Sequence, residues 1–146
     1  MDNIDKIRIN DLEEVRKLCL SRWADLDEWF DIEKMKFFLE RYSEYCIKFH
    51  ENKKILGVIL GDEMHKCLDI KIFLVEESQR GKGIGLQLLK HIEKVCRKNK
   101  LKTIFLTSGE RDYATGAFNF YTKSGFKVAG FKVTHGEIAL LFEKKL

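Results

Sequence analysis

The chain has 146 residues, 45% hydrophobic and 34% charged, enough apolar material for one core and enough charge to solvate it. That excludes a disordered or fibrous protein and predicts a single domain over 1–146. Lys plus Arg is 27 against 23 Asp plus Glu, so a formal charge of +4 is too small and too mixed for a dedicated nucleic-acid binder, although a patch for one phosphorylated ligand stays allowed.

The opening residues, Met1-Asp2-Asn3-Ile4-Asp5-Lys6, lack the basic and then apolar run of a signal peptide. No stretch approaches the roughly 20 apolar residues of a membrane span, so no membrane association and a cytoplasmic location are expected. Ile7 and Ile9 alternate with polar neighbours and read as a short strand, after which Asn10-Asp11 offers capping oxygens with Glu13 and Glu14 three residues beyond. Leu12, Val15, Leu18 and Cys19 keep the helical period, and Ile32, Met35, Phe38 and Leu39 repeat it in a second helix ending near Tyr42. Between the two lies the acidic and aromatic stretch 23–30.

Runs 45–51 and 55–60, separated by Asn52-Lys53-Lys54, predict an antiparallel hairpin. A polar loop follows, then a strand over 68–75 and a glycine-rich segment leading into a helix over 84–98, where Ile84, Leu88, Ile92 and Cys96 stack at i, i+4 spacing. Residues 103–106 read as the next strand. A fourth helix from about Tyr113 to Lys123 stops at Gly125, and 126–133 and 137–143 close the chain as a strand pair. Strand, helix, strand at this spacing is a right-handed βαβ crossover, so the strands at 68–75 and 103–106 run parallel and the ligand loop falls at their carboxyl ends. The fold class is α/β, a mixed central twisted sheet flanked by about four helices.

Cys19, Cys46, Cys67 and Cys96 form no CxxC pair, and His50, His65 and His91 have no partner at ligand spacing, so buried reduced thiols and no metal are expected. No proline, linker or repeat divides the chain. The basic run 94–102 reads as a solvated helix face and exit rather than an RNA contact.

The informative segment is Gln79-Arg80-Gly81-Lys82-Gly83-Ile84-Gly85. Its glycines leave successive backbone N–H groups uncovered where a helix starts, and a helix N-terminus carries unpaired donors and about half a positive charge, which suits a pyrophosphate. Arg80 and Lys82 add mobile positive charge. The pattern is neither GxxxxGK[ST] nor GxGxxG, since Leu86 stands where the third glycine of the latter would be. A turn serving only chain reversal is the plainer alternative.

Arg80-Gly81-Lys82-Gly83-Ile84-Gly85 resembles the [Q/R]-x-x-G-x-[G/A] motif of the GNAT superfamily of acyl-CoA-dependent N-acetyltransferases. Ala117-Phe118-Asn119-Phe120-Tyr121 followed by Ser124-Gly125-Phe126 resembles that family's A-x-x-[FL]-Y and GF signature. The resemblance implies acetyl-CoA as cosubstrate, its pyrophosphate held by main-chain N–H groups from about Arg80 to Gly85. It also implies a pantetheine cleft where the strand ending at Val75 splays from the strand at 103–106, with Leu74 and Val75 as backbone contacts, an exposed strand edge being suited to pair with amides.

The resemblance further implies direct acetyl transfer to a primary amine of a small molecule or protein in a ternary complex, without metal or covalent enzyme intermediate. A strand N–H near Val75 would stabilise the oxyanion. Tyr121 stands where many members hold a tyrosine beside the coenzyme A sulfur, a general acid that is protonated at neutral pH; packing beside Phe118 and Phe120 is its alternative role. Asp69, six residues before Val75 and on its face by strict alternation, corresponds to a catalytic glutamate of some members, with solvation or a water relay as alternatives. His135 and Glu110 are rival bases. Many members have asparagine three residues before the alanine of the second motif, whereas this chain has Ala114.

Acceptor specificity in such a fold comes from 23–33 and 109–113. Asp25, Asp27, Glu28, Asp31 and Glu33 beside Trp23, Trp29 and Phe30 would attract a cationic amine by charge and cation–π contact, or else form a solvated connection with its aromatics in the core. A non-catalytic acyl-CoA-binding regulatory module is the alternative function. A homodimer is compatible with the family, although no self-complementary stripe is evident.

Overall fold

Apolar side chains on both faces of one sheet require helices on both sides, and the order of elements supplies them. The computed structural model describes residues 3–110, 112, 116–134 and 136–146. Strands Ile4–Lys6 (β1), Cys46–Glu51 (β2), Lys54–Met64 (β3), Cys67–Val75 (β4), Thr103–Gly109 (β5), Lys127–Thr134 (β6) and Glu137–Lys145 (β7) form a sheet in the order β1-β2-β3-β4-β5-β7-β6. Among the described residues only β4 and β5 pair in parallel. Helices Leu12–Arg22 (α1) and Ile32–Tyr42 (α2) cover one face, and Ile84–Lys98 (α3) with Ala117–Lys123 (α4) cover the other.

On α3, Ile84, Leu88, Leu89, Ile92 and Cys96 are all buried. Each aliphatic side chain so covered contributes about 1.5–3 kcal/mol. Gly57 lets this helix approach the sheet, because a Cβ there would lie 3.0 Å from Leu88 Cδ1 and 3.2 Å from the Leu74 carbonyl. On the opposite face Leu12, Val15, Leu18 and Cys19 of α1 meet Met35 and Leu39 of α2 over Val58, Leu60 and Leu74. The helical periods therefore point where the sequence places them.

The ends of elements differ from the sequence reading for local reasons. The first strand lies at Ile4–Lys6, and Ile9 opens a 3-10 turn, 57% exposed. That turn runs into α1 and gives Asp11 helical backbone angles, so its carboxylate does not cap α1; it accepts from the Arg8 N–H at 2.8 Å and from Lys48 Nζ at 2.7 Å. Strand β3 runs on to Met64 and returns through His65-Lys66, both with positive φ, as Asn52-Lys53 do in the preceding hairpin. These are two-residue turns of the kind whose twist matches hairpins, built here without glycine. The described part of the fourth helix begins at Ala117, and Tyr113, its expected start, lies outside the described residues.

One irregularity governs the site. Leu60 pairs with Ile72 but Gly61 pairs with Ile70, so Lys71 is the extra residue of a bulge. Side-chain parity reverses across it: Leu68 and Ile70 pack with α3, and beyond the bulge Phe73 and Val75 do so, while Ile72 and Leu74 join the α1 and α2 side.

Candidate active site

Parallel pairing of β4 and β5 covers Cys67↔Thr103 to Ile70↔Leu106. Beyond it β5 continues on β7 through Thr107↔Leu141, Ser108↔Leu140 and Gly109↔Ala139, while β4 continues on β3 to Gly57↔Val75. The strands therefore part beyond Ile70 and Leu106, exposing an edge of β4. The Glu76 N–H donates to the Leu56 carbonyl at 2.8 Å. By the alternation of an antiparallel ladder, Leu74 then turns its main-chain groups to β3, and Phe73 and Val75 turn theirs to the open edge. Val75 thus lies as expected for a backbone contact. Leu74 lines the opening, but its main-chain groups face β3.

A cavity of about 500 Å3 fills the opening on the α3 and α4 side, and Val75, Arg80, Gly81, Gly83, Ile84, Gly85 and Tyr121 are among the residues that line it. Gly81 and Gly83 have φ of +80° and +84°, and a Cβ on either would meet nothing within 4 Å. The glycines are required by backbone angle rather than by crowding, and they leave a cradle open to a ligand. The first internal bond of α3 runs from the Gln87 N–H to the Gly83 carbonyl at 3.0 Å, leaving the amides of Ile84, Gly85 and Leu86 as the free donors of a helix start. The Arg80 N–H instead bonds the Glu77 carbonyl at 3.3 Å, so the string of donors begins after Arg80. Arg80 lines the cavity through its side chain. Lys82 does not line it; its ammonium donates to Gln79 Oε1 at 3.2 Å.

Tyr121 is 8% exposed and sits among the rings of Phe73, Phe120, Phe126 and Phe142 at centroid distances of 5.2–6.1 Å. Burial, and after it the Asp112 carboxylate, push its phenol above the ordinary tyrosine range. It therefore stays protonated at neutral pH and available as a donor. Packing among these rings leaves the phenol protonated.

A second cavity of about 500 Å3 lies on the α1 and α2 side and meets the first at Trp23, Lys71, Thr107 and Asp112. Its walls are largely apolar, with Trp29, Phe30, Met35 and Phe38 prominent. The carboxylates of 25–33 are not among the described residues that line it; the charged residues among those are Asp112, Glu137, Lys34, Lys71 and Lys132. The expected acidic trap for a cation is therefore replaced by an aromatic chamber of mixed charge. Arg22 Nη2 reaches Asp112 Oδ1 at 2.7 Å, tying the end of α1 to the segment after β5 where the chambers join.

Asp69 departs from its expected place. The bulge at Lys71 breaks the alternation that put it with Val75, so it lies on the opposite face, lines neither cavity and binds Lys71 Nζ at 2.6 Å. Glu110 Oε1 accepts the Ile138 N–H at 3.1 Å. His135 and Ala114 lie outside the described residues. Among the cysteines, Cys19, Cys46 and Cys96 are buried and Cys67 is half-buried; burial raises the first three thiols to about 12, and none of the four lines either cavity. Among the described residues no cluster of His, Cys, Asp or Glu has metal-binding geometry, and no helix is long and apolar enough to cross a membrane.

Phe73, Ser108 and Asp112 line the site and were not singled out by sequence. Parity past the bulge would reveal Phe73, and Ser108 follows from its register two residues beyond the last β4 rung. Asp112 carries no local signal, because it becomes a site residue only when α1 brings Arg22 to it.

The acetyltransferase (GNAT) family model matches residues 9–126. N-alpha-acetyltransferase 30 of Dictyostelium discoideum is 32% identical over 90 residues, 56% of this chain and 49% of the relative, so the chain spans about half the length of the curated relative it matches. The fold is shared with PaiA N-acetyltransferase from Thermoplasma acidophilum in complex with coenzyme A, at TM-score 0.84 and 21% identity with both chains fully covered. It is shared also with Ard1 from Thermoplasma volcanium, at TM-score 0.85 and 19% identity over 98% of this chain and 96% of that one. With the family match spanning most of the chain and a glycine cradle open at the start of α3, this protein belongs to the acetyltransferase (GNAT) family, whose cosubstrate is acetyl-CoA.

Proposed function

We propose that the chain transfers an acetyl group from acetyl-CoA to a primary amine of a small molecule or protein, directly and within a ternary complex. The observation that carries this reading is the meeting of two cavities through the gap between β4 and β5, one with a glycine cradle and the other with an aromatic wall. Two substrates entering from opposite faces of the sheet would touch only there.

Acetyl-CoA, when bound, supplies an acyl carbon activated as a thioester. The amides from Gly81 to Leu86 and the Arg80 guanidinium hold its diphosphate, and the outward main-chain groups of Phe73 and Val75 pair with the pantetheine amides as an added strand would. A strand amide near Val75 donates to the acyl oxygen as negative charge grows there, a fixed dipole that needs no reorganisation. The acceptor must arrive as neutral amine. Its nitrogen lone pair forms the C–N bond, the C–S bond breaks with its electrons on sulfur, and Tyr121 gives its phenolic proton to that sulfur. The proton lost from nitrogen passes to water, and water returns a proton to the Tyr121 phenolate. In this scheme Asp69, paired with Lys71 and lining neither cavity, takes no step, and the buried thiols lie away from the cavities, which supports direct transfer over a cysteine-bound acetyl group.

The chamber on the α1 and α2 side favours a monoamine with an apolar body over a polycation, since among the described residues three lysines and two carboxylates line it. Release of free coenzyme A, measured against α-amino peptides, lysine side chains, aromatic monoamines, polyamines and aminoglycosides, tests the reading. Turnover is expected on an apolar monoamine or peptide amine. Tight acetyl-CoA binding with no release on any amine would overturn catalysis and leave an acyl-CoA-binding regulatory module.

A further inference from the structure

Among the described residues two buried side-chain polar atoms have no hydrogen-bond partner, Asp62 Oδ1 and Ser108 Oγ, and of the two residues only Ser108 lines a cavity. Ser108 is 3% exposed. Alternation along β5 sets its side chain with those of Ile104 and Leu106, toward α3 and α4 and into the donor-side cavity. A buried hydroxyl without a partner is destabilising, and alanine would fill the position without that cost. A partner that arrives with a ligand accounts for its presence.

The place of this hydroxyl narrows what the ligand group is. Ser108 lies two residues past Leu106, the last rung shared with β4, and beside Thr107, which lines both cavities. In the transfer proposed above, the pantetheine amides pair farther out along β4 and the sulfur faces Tyr121. The acyl group alone must reach the junction. Its carbonyl oxygen is an acceptor, and the hydroxyl is a donor in a cavity that Ile70, Leu106, Phe73 and Ala117 also line.

We propose that the Ser108 hydroxyl donates a hydrogen bond to the thioester carbonyl oxygen of acetyl-CoA; this rests on the acetyl-transfer reading. As the amine forms the C–N bond, the carbonyl electron pair moves onto that oxygen, and it returns as the C–S bond breaks. Ser108 keeps its proton throughout, and its bond strengthens while the oxygen is negative. It is thus a second donor beside the strand amide, acting on the acyl end and not on the nucleotide end.

Calorimetric titration of Ser108→Ala with acetyl-CoA and, separately, with free coenzyme A tests this, because only the former carries the carbonyl. Acetyl-CoA Kd is expected to rise about tenfold, with the coenzyme A Kd unchanged, kcat reduced about a hundredfold, and the Tm of the ligand-free protein equal or higher. Ser108→Thr should restore the acetyl-CoA preference; Ser108→Cys, of similar size with a weak donor, carries the same comparison if the alanine variant does not fold. Equal loss for both ligands, unchanged constants for both, or a lower ligand-free Tm with intact binding would each overturn the assignment. Wild-type protein that binds neither ligand would instead refute the acetyl-transfer reading, before Ser108 is in question.

Discussion

The two chambers on either side of the β4 and β5 gap are built from different materials. On the α3 side, beside side chains such as Phe73, Leu106 and Tyr121, the wall includes backbone: glycine amides at the start of a helix and the free edge of a strand. On the α1 side it is side chain, with Trp29, Phe30, Met35 and Phe38 brought together by helix packing. A backbone surface depends on a few φ angles and strand register, so it suits a ligand that is always the same. A side-chain surface changes with each substitution, so it suits the partner that distinguishes one enzyme from another.

The contrast predicts where single changes act. Tyr121→Phe removes one hydroxyl and keeps the ring among its four aromatic neighbours, so acetyl-CoA Kd should stay within about twofold while turnover falls about 10²–10³-fold. With Tyr121 in the proposed role of protonated acid and its folded pKa raised, a pH–rate profile of the wild-type protein should show no loss attributable to this phenol below about pH 10, the ordinary tyrosine value. An unchanged rate in the phenylalanine variant would remove Tyr121 from the chemistry. Gly83→Val acts on the backbone instead: φ of +84° strains a β-branched residue although its Cβ has open space. Loss of two amide contacts of about 1–1.5 kcal/mol each corresponds to roughly a hundredfold weaker acetyl-CoA binding, measured by calorimetry. A variant that binds as the wild type does would mean that the cradle does not hold the cosubstrate.

The same contrast explains what could be read from the chain. Gly81, Gly83 and the run from Ile84 to Lys98 are local, since backbone angle and a 3.6-residue period are written in consecutive residues, and α3 occupies its expected range. The bulge at Lys71 is not local. It exists because β3 and β4 differ by one residue between Leu60↔Ile72 and Gly61↔Ile70, and that offset alone moves Asp69 away from the face of Val75. The second chamber was legible in its aromatics, Trp23, Trp29 and Phe30, and not in most of its charges, which among the described residues come from β4, β6, β7 and the segment after β5 as well as from Lys34 of α2. Charge near an aromatic in sequence does not establish charge near it in space.

Phe38→Ala tests the side-chain chamber. Phe38 is half-buried, lines the second cavity and packs at 6.0 Å on Tyr42. Removing its ring should raise the KM of a productive apolar amine about tenfold, equivalent to about 1.4 kcal/mol, and leave acetyl-CoA Kd unchanged. If both constants move together, the chambers are not separate binding surfaces.

The smallest expected effect is at Asp62, which shares with Ser108 an unpartnered buried oxygen but lines neither chamber. Burial is the chief cause that raises its carboxyl pKa, opposed by Lys71 and reinforced by Asp69, its partner across the ladder. A raised carboxyl contributes stability that is fully present below its unfolded pKa and is lost as pH rises through the folded value. At neutral pH the charged form is therefore the less favourable one in the fold. Asp62→Asn should raise the Tm by about 2 °C near pH 7, and the gain should fade as acidification protonates the wild-type carboxyl. Acetyl-CoA and amine constants should not move. The two unpaired oxygens thus divide by location: the one at the gap reports on ligand, the one on the closed sheet reports only on folding. A change in acetyl-CoA affinity on Asp62→Asn would break that division.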